Sequence, residues 1–562
     1  MKISRVLASL PFLVICLSAL ASEPRPIPVN QLPPASRPSV AAGLFVPPTP
    51  ELDPAGPMTI ERLNHLSFSG VVDYALRRAI STRTQTALEY SAAVVTSGPA
   101  NRRFAVIPLA STTDTVKATD DTKQDIEPSV IAENDLGGVA HAIKYTNSLG
   151  AITARINAAA ATAAPGSFTR GELPISVDAF KTPLYQHSGD PMMSANVYGS
   201  GKWPKRIYTV GIEFNAGVAS QPSAIALWTS DDYGVTWGTP RELDQVRQPW
   251  IIATKNGGGY FLDKPSIAVS YYAGDSTHPS TLGHVYVAWS NLDDANSAIS
   301  SIWVRRSTDG GGTFEDPVVI TYGQVQNSAL AVDSNTGDVY CVWVDETNND
   351  IRAAKASGTG SALAFGSYEV VGGGNLLTQV TGKLLHGGVK APTAPMIRYN
   401  WISRSLMVVW HGGTPGVQSD TNIYYSYRPC TTQCNYWGWQ LPRQIDDATR
   451  GDQFEPPLDY TRYGTAIVTF YDRRNDVNNQ LYQPYFAYIN ADGTAIHANT
   501  LTYSLQSDPA NHVAAKGDPN FIGDYQDAWV WTYSDGDRLV SSWIGIENST
   551  VIGDVFLSRI TF

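Results

Sequence analysis

His284-Val-Tyr-Val-Ala-Trp289 decides the fold, because the same kind of strand returns along the chain. It recurs as Asp338-Val-Tyr-Cys-Val-Trp343, Ser405-Leu-Met-Val-Val-Trp410, Thr465-Ala-Ile-Val-Thr-Phe-Tyr471 and Arg538-Leu-Val-Ser-Ser-Trp543. β-Branched and aromatic residues at this density favour strands, and each run closes on an aromatic ring. From one closing aromatic to the next the spacing is 54, 67, 61 and 72 residues. That is one four-stranded unit with loops of varying length, the blade of a β-propeller. Fainter units stand at Arg206-Ile-Tyr-Thr-Val-Gly-Ile212, and at Glu127-Pro-Ser-Val-Ile131 followed by Gly138-Val-Ala-His-Ala-Ile143. The expectation is an all-β propeller of six or seven four-stranded blades, with seven repeats counted and five of them clear.

The last unit stops at its third strand, Asp554-Val-Phe-Leu-Ser-Arg-Ile560. A closed ring leaves no open edge, so Arg103-Phe-Ala-Val-Ile-Pro-Leu109 is expected to supply the missing strand. The propeller is therefore assigned to residues 103 to 562. Before it, Leu63, Leu66, Val71, Val72, Ala75, Leu76 and Ile80 recur at helical intervals, which predicts a short helical segment over residues 58 to 102. Residues 22 to 57 are crowded with proline and read as an extended linker. Residues 1 to 21 read as an export signal: Lys2 and Arg5, an apolar run from Val6 to Leu20, then Ala19 and Ala21 around Leu20, with cleavage expected after Ala21. That run is shorter than the roughly 20 residues a membrane span needs. The expected destination is secreted or periplasmic, with no span.

Composition agrees with strands and turns. Among 562 residues only 16% are charged, while Gly 47, Pro 36, Trp 14 and Tyr 28 are generous, which excludes a coiled coil. The formal charge is −11, and −13 (38 − 51) once residues 1 to 21 are removed, which argues against a nucleic-acid binder relying on a basic surface. Cys430 and Cys434 are expected to form a local disulfide in an oxidising compartment; a metal pair would need further soft ligands nearby. Cys341 alternates within a strand and reads as a core thiol. The nine histidines show no zinc spacing, and no phosphate loop or serine elbow occurs.

Two segments share the pattern Ser-x-Asp-x-Gly-x-Thr-aromatic: Ser230, Asp232, Gly234, Thr236, Trp237 and Ser307, Asp309, Gly311, Thr313, Phe314. The side chains of Ser and Asp can bond the turn's own backbone, glycine accepts positive φ, and the aromatic packs inward. These segments resemble the Asp-boxes, or BNR repeats, of sialidases and related secreted propellers, as do Asp263-Lys-Pro-Ser-Ile-Ala-Val269, Phe470-Tyr-Asp-Arg-Arg-Asn-Asp476 and Phe521-Ile-Gly-Asp-Tyr525. The resemblance spans roughly residues 120 to 562. It implies an exo-acting glycoside hydrolase of sialidase type, working as a monomer on extracellular glycans or glycoproteins without a required cofactor. It also implies three arginines clamping a substrate carboxylate, an Arg-Ile-Pro element, an aspartate acid, and a tyrosine nucleophile assisted by a glutamate. No Arg-Ile-Pro occurs here; Arg206-Ile207-Tyr208 is the nearest. Sialidases have six blades.

A propeller gathers the starts of its inner strands at one end of the channel, and acids recur there: Glu127-Pro128, Asp190-Pro191, Asp263-Lys-Pro265, Glu455-Pro456, and Asp518-Pro519 or Asp524. Converging carboxylates raise one another's pKa, which suits acid and base roles in glycoside hydrolysis. The same convergence accepts Ca²⁺, and each acid taken singly can cap a turn. The expected site is Glu455 or Asp524 for proton transfer, Arg473 for anchoring and Tyr525 near the reacting carbon. Arg474, Arg398, Arg428 and Arg450 are further cations, and Trp250, Trp437 and Trp439 are candidate sugar platforms. A non-catalytic glycan- or protein-binding propeller and a polysaccharide lyase are the competing readings.

Overall fold

The computed structural model describes residues 113 to 561 apart from 120–123, 136–137, 150–152, 162–167, 197–205, 216–221, 241–246, 256–259, 272–278, 294–298, 375, 379–384, 414–419, 430–437, 462, 491–492, 494–498, 510–520, 534–535 and 548–552. The expected signal, linker and helical segment lie outside the described residues, as do Cys430, Cys434, Trp437 and Asp518.

The strands make six four-stranded sheets and one five-stranded sheet, with a small ribbon pairing Thr239–Pro240 with Arg247–Gln248. One strand of each large sheet faces the centre. These are Gln124–Asp135, His187–Ala195, Tyr260–Val269, Val325–Val332, Met396–Asn400, Leu458–Tyr460 and Asp527–Tyr533. They touch in that order, and the last returns to the first. The recurrent Val, Tyr and Trp runs are the next strands outward: Val285–Asp293, Val339–Asp345, Ser405–Gly413, Ala466–Asp472 and Gly536–Ile546, with Gly138–Leu149 and Ile207–Phe214 for the fainter units.

Those runs are apolar at nearly every position because each lies between two neighbouring sheets. Val339–Asp345 is buried along its whole length. Cys341, a free thiol, and Trp343 pack with Ile302 and Val304 of the preceding sheet. Trp289, Trp343, Trp410 and Trp543 are all buried. A ring of that size removes on the order of 200 Å² from water, roughly 5 kcal/mol of transfer free energy before entropy is charged. The main core is thus a set of layers between sheets.

Closure differs in place from the expectation. Thr113–Lys117, not residues 103 to 109, pairs antiparallel with Gly553–Thr561, with Thr113 opposite Ile560 and Lys117 opposite Phe556. Residues 103 to 109 lie outside the described residues. An edge strand needs only its backbone bonds and one inward side chain, here Val116, so its sequence is polar and easily overlooked. Lys117 Nζ fastens it further, at 2.9 Å from both Glu547 and Asp554.

The inner strands carry a repeated irregularity. Ladder register shifts between Ile126 and Ser129, Gly189 and Met192, Asp263 and Ser266, and Gln326 and Ala329. In the five-stranded sheet the same break splits the inner strand into Gln453–Phe454 and Leu458–Tyr460, both paired with Ala466–Asp472. At each break one residue takes positive φ: Glu127 (55°), Asp190 (54°), Lys264 (50°), Asn327 (55°) and Glu455 (53°). Proline follows four of them and serine follows Asn327. Proline has no N–H to give the ladder, so the strand must bulge there. A left-handed residue that is not glycine costs roughly 1–2 kcal/mol. Of the five expected acid positions, Glu127, Asp190 and Asp263 therefore sit within inner strands at bulges, Glu455 sits in the break between Gln453–Phe454 and Leu458–Tyr460, and Asp524 precedes Asp527–Tyr533.

Candidate functional site

The bulges put an acidic belt inside the ring. Glu127, Asp190, Asp263, Glu455 and Asp524 are all buried. Glu455 is 4% exposed, and neither carboxyl oxygen has a hydrogen-bond partner. Its pKa is pushed well above the usual carboxylate range, first by burial and then by the charges of Asp524 and Glu127. The backbone around it is well held: Gln526 Nε2 donates to Glu455 O at 2.8 Å, and the Glu455 amide donates to His411 Nδ1 at 3.3 Å. Tyr525 donates its phenol proton to Pro191 O at 3.0 Å. Burial and the charges of Glu127, Asp190, Asp524 and Asp527 push that phenol far up, so it stays protonated. The structure thus brings Glu455, Asp524 and Tyr525 together, with both carboxylates buried and Tyr525 half-buried.

Arg473 does not join them. It is completely buried, 3.2 Å from Asp452 Oδ2, donating to His386 O at 2.8 Å and Asn479 O at 3.0 Å, with its guanidinium over Phe454. Arg474 pairs with Asp472 and Asp447, and Arg428 with Glu369. Arg450 donates to Arg474 O at 2.9 Å. Trp439 packs against a buried cluster, whereas Trp250 is 41% exposed.

The open space lies further along the channel, a few residues beyond the bulges. A cleft open to solvent is lined by residues that include Tyr271, Arg398, Tyr399, Trp401, Asp459 and Trp529. Asp459 follows Glu455 by four residues, roughly 13 Å of extended strand. Burial raises the Asp459 carboxyl to about 6 against the pull of Arg398 and of the Val530 amide, which donates to Oδ2 at 2.6 Å. Arg398 Nη2 also lies 3.5 Å from Asp527 Oδ1. Asp527 Oδ2 accepts from Ser129 Oγ at 2.7 Å and Val130 N at 3.3 Å, and Ser129 Oγ accepts from Met193 N at 3.0 Å. Carboxylates therefore stitch successive inner strands together. Sequence reasoning named Arg398 only as a spare cation and missed Asp459, since nothing local marks two residues from different sheets as neighbours. Among the described residues no group of three or more His, Cys, Asp or Glu side chains is arranged to hold a metal ion.

The two Ser-x-Asp turns match each other and contribute no residue to the cleft lining. Ser230 Oγ donates to Asp232 Oδ1 and accepts from Gly234 N, and Asp232 accepts from the Thr236 amide and hydroxyl. Ser307, Asp309, Gly311 and Thr313 repeat every bond. Gly234 and Gly311 have φ of 86° and 87°. Trp237 is buried and Phe314 packs against a neighbouring core.

No protein-family model matches the chain, and no curated protein sequence does. Solved structures similar to it include a protein of unknown function from Dyadobacter fermentans, 11% identical with TM-score 0.42 over 80% of this chain and 98% of that one. The α-L-arabinofuranosidase Arb93A from Fusarium graminearum is 13% identical, with TM-score 0.39 over 80% and 98%. The NanB sialidase from Streptococcus pneumoniae is 8% identical, with TM-score 0.38 over 81% and 95%. The chain's own ring of sheets, closed by its first described strand, makes it an all-β propeller.

Proposed function

We propose that the chain is a secreted, glycan-active propeller that hydrolyses glycosidic bonds, with substrate entering the cavity beside Arg398 and Asp459. One observation carries this reading: the Asp459 carboxyl lines an open cleft, where burial pushes its pKa up to about 6. Such a group can protonate a leaving glycosidic oxygen while water adds to the sugar carbon, and the water's proton restores the carboxyl. The aromatic residues around it offer faces on which sugar rings stack. The narrower exo-acting, sialidase-type reading is supported by the two Ser-x-Asp turns and by no arginine clamp.

The test is release of free sugar from a glycan panel, read by mass spectrometry. Asp459→Asn is expected to lose at least about a hundredfold in turnover with its melting point kept, as befits a lost general acid. Glu455→Gln is expected to retain turnover, because its carboxyl is buried and does not line the cleft. The reverse pattern would return proton transfer to Glu455 and Asp524. A second reading, a binding propeller without catalysis, is favoured by the bonds that tie Asp459 and Asp527 to neighbouring strands; binding without any sugar release supports it.

A further inference from the structure

We infer that the cavity accepts neutral sugars and discriminates against acidic ones, an inference that rests on the glycan-active reading above. A sialate or uronate carboxylate needs cations that are free to receive it. Among the described residues lining the cavity, Arg398 is the one cation. Its guanidinium already lies 3.5 Å from Asp527 and acts electrostatically on Asp459 as well. At about pH 7.5 and above, where Asp459 has lost its proton, the three groups together carry 1 − 2 = −1, and the comparison below is made there. An incoming carboxylate must compete with Asp527 for the arginine and face Asp459 across the cavity, where the low-dielectric walls strengthen repulsion.

The rest of the lining suits an uncharged ring. Trp401, Tyr399, Tyr271 and Trp529 present aromatic surface. The Tyr399 phenol is fixed by a hydrogen bond from Asn335 Nδ2, so its ring is held in place before any ligand arrives. Stacking on C–H faces gives affinity without charge. Arg398, with its charge offset by Asp527, presents guanidinium N–H groups to sugar hydroxyls.

The experiment compares binding of matched pairs to residues 22 to 562: α-1,4-galactotriose against trigalacturonate, and lactose against 3′-sialyllactose, within an array of neutral, acidic and amine-bearing glycans. Neutral glycans are expected to bind at least about tenfold tighter than their acidic counterparts. Raising salt from about 0.05 to about 1 M is expected to shrink that ratio, since screening weakens the repulsion. Asp527→Asn, which brings the balance of the three groups to zero from behind the lining, is expected to narrow it about tenfold. Should that variant misfold, the salt series on the unmodified chain still decides. Equal or tighter binding of acidic glycans overturns this inference and leaves glycan activity standing. No glycan bound or cleaved overturns both.

Discussion

The backbone of Glu455 fixes the protonation state of His411. The Glu455 amide can only donate, so His411 Nδ1 accepts it at 3.3 Å, and Nε2 donates to Ala391 O at 3.0 Å. The ring is completely buried between them, and burial lowers its pKa to about 4. A group whose folded pKa is depressed contributes stability above its unfolded value, about 6.5, and loses it as pH falls toward the folded one. The melting-temperature difference between the native chain and His411→Gln should therefore shrink from pH 6.5 to 4. A pH-independent difference would contradict the assigned tautomer.

Glu455 carries the opposite sign. Its folded pKa is raised, so it favours the fold below about 4.3, and that contribution declines as pH rises toward the raised value. Glu455→Gln keeps the neutral shape without the titration. It should melt at the native temperature near pH 4 and above it near pH 8, by differential scanning calorimetry.

Gly523 has φ of 122°, and a Cβ there would stand 2.8 Å from Glu127 N and 3.1 Å from its Cγ. Gly374 has φ of 88° but open space around it. Gly374→Ala pays only backbone strain, roughly 1 kcal/mol, whereas Gly523→Ala adds a collision and should cost about 3 kcal/mol. Equal melting-point losses would mean that the belt yields to the methyl group.

The closing strand makes a truncation prediction. Removal of residues 22 to 110 should leave cooperative melting, while removal of residues 22 to 119 leaves Gly553–Thr561 without its partner and should broaden the transition or promote association. Calorimetry with light scattering reads both outcomes.

What the sequence revealed was what repeats or stays local. The strands ending in Trp289, Trp343 and Trp410 announced themselves because burial on both faces leaves little room for polar residues. The turns at Ser230 and Ser307 were legible because their bonds run between residues two to four apart. The acid-proline pairs pointed to the inner strands, yet whether Glu455 meets solvent depends on sheets far away in sequence. Arg398 and Asp459 become neighbours only through the ring. The strand at 113–117 was missed in favour of 103–109 because strand propensity rewards Phe, Val and Ile, while an edge asks for backbone pairing.

Thr115 and Ser558, bonded side chain to side chain at 2.9 Å, are 443 residues apart. During synthesis the ring therefore stays open until nearly all of those residues have emerged, and the first strand waits unpaired throughout. Loop closure on that scale is slow relative to local pairing, so the final step of folding is a late docking of two distant ends. In that interval Gly553–Thr561 and Thr113–Lys117 of different molecules can pair with each other. Dilution during refolding should then raise the yield of closed rings.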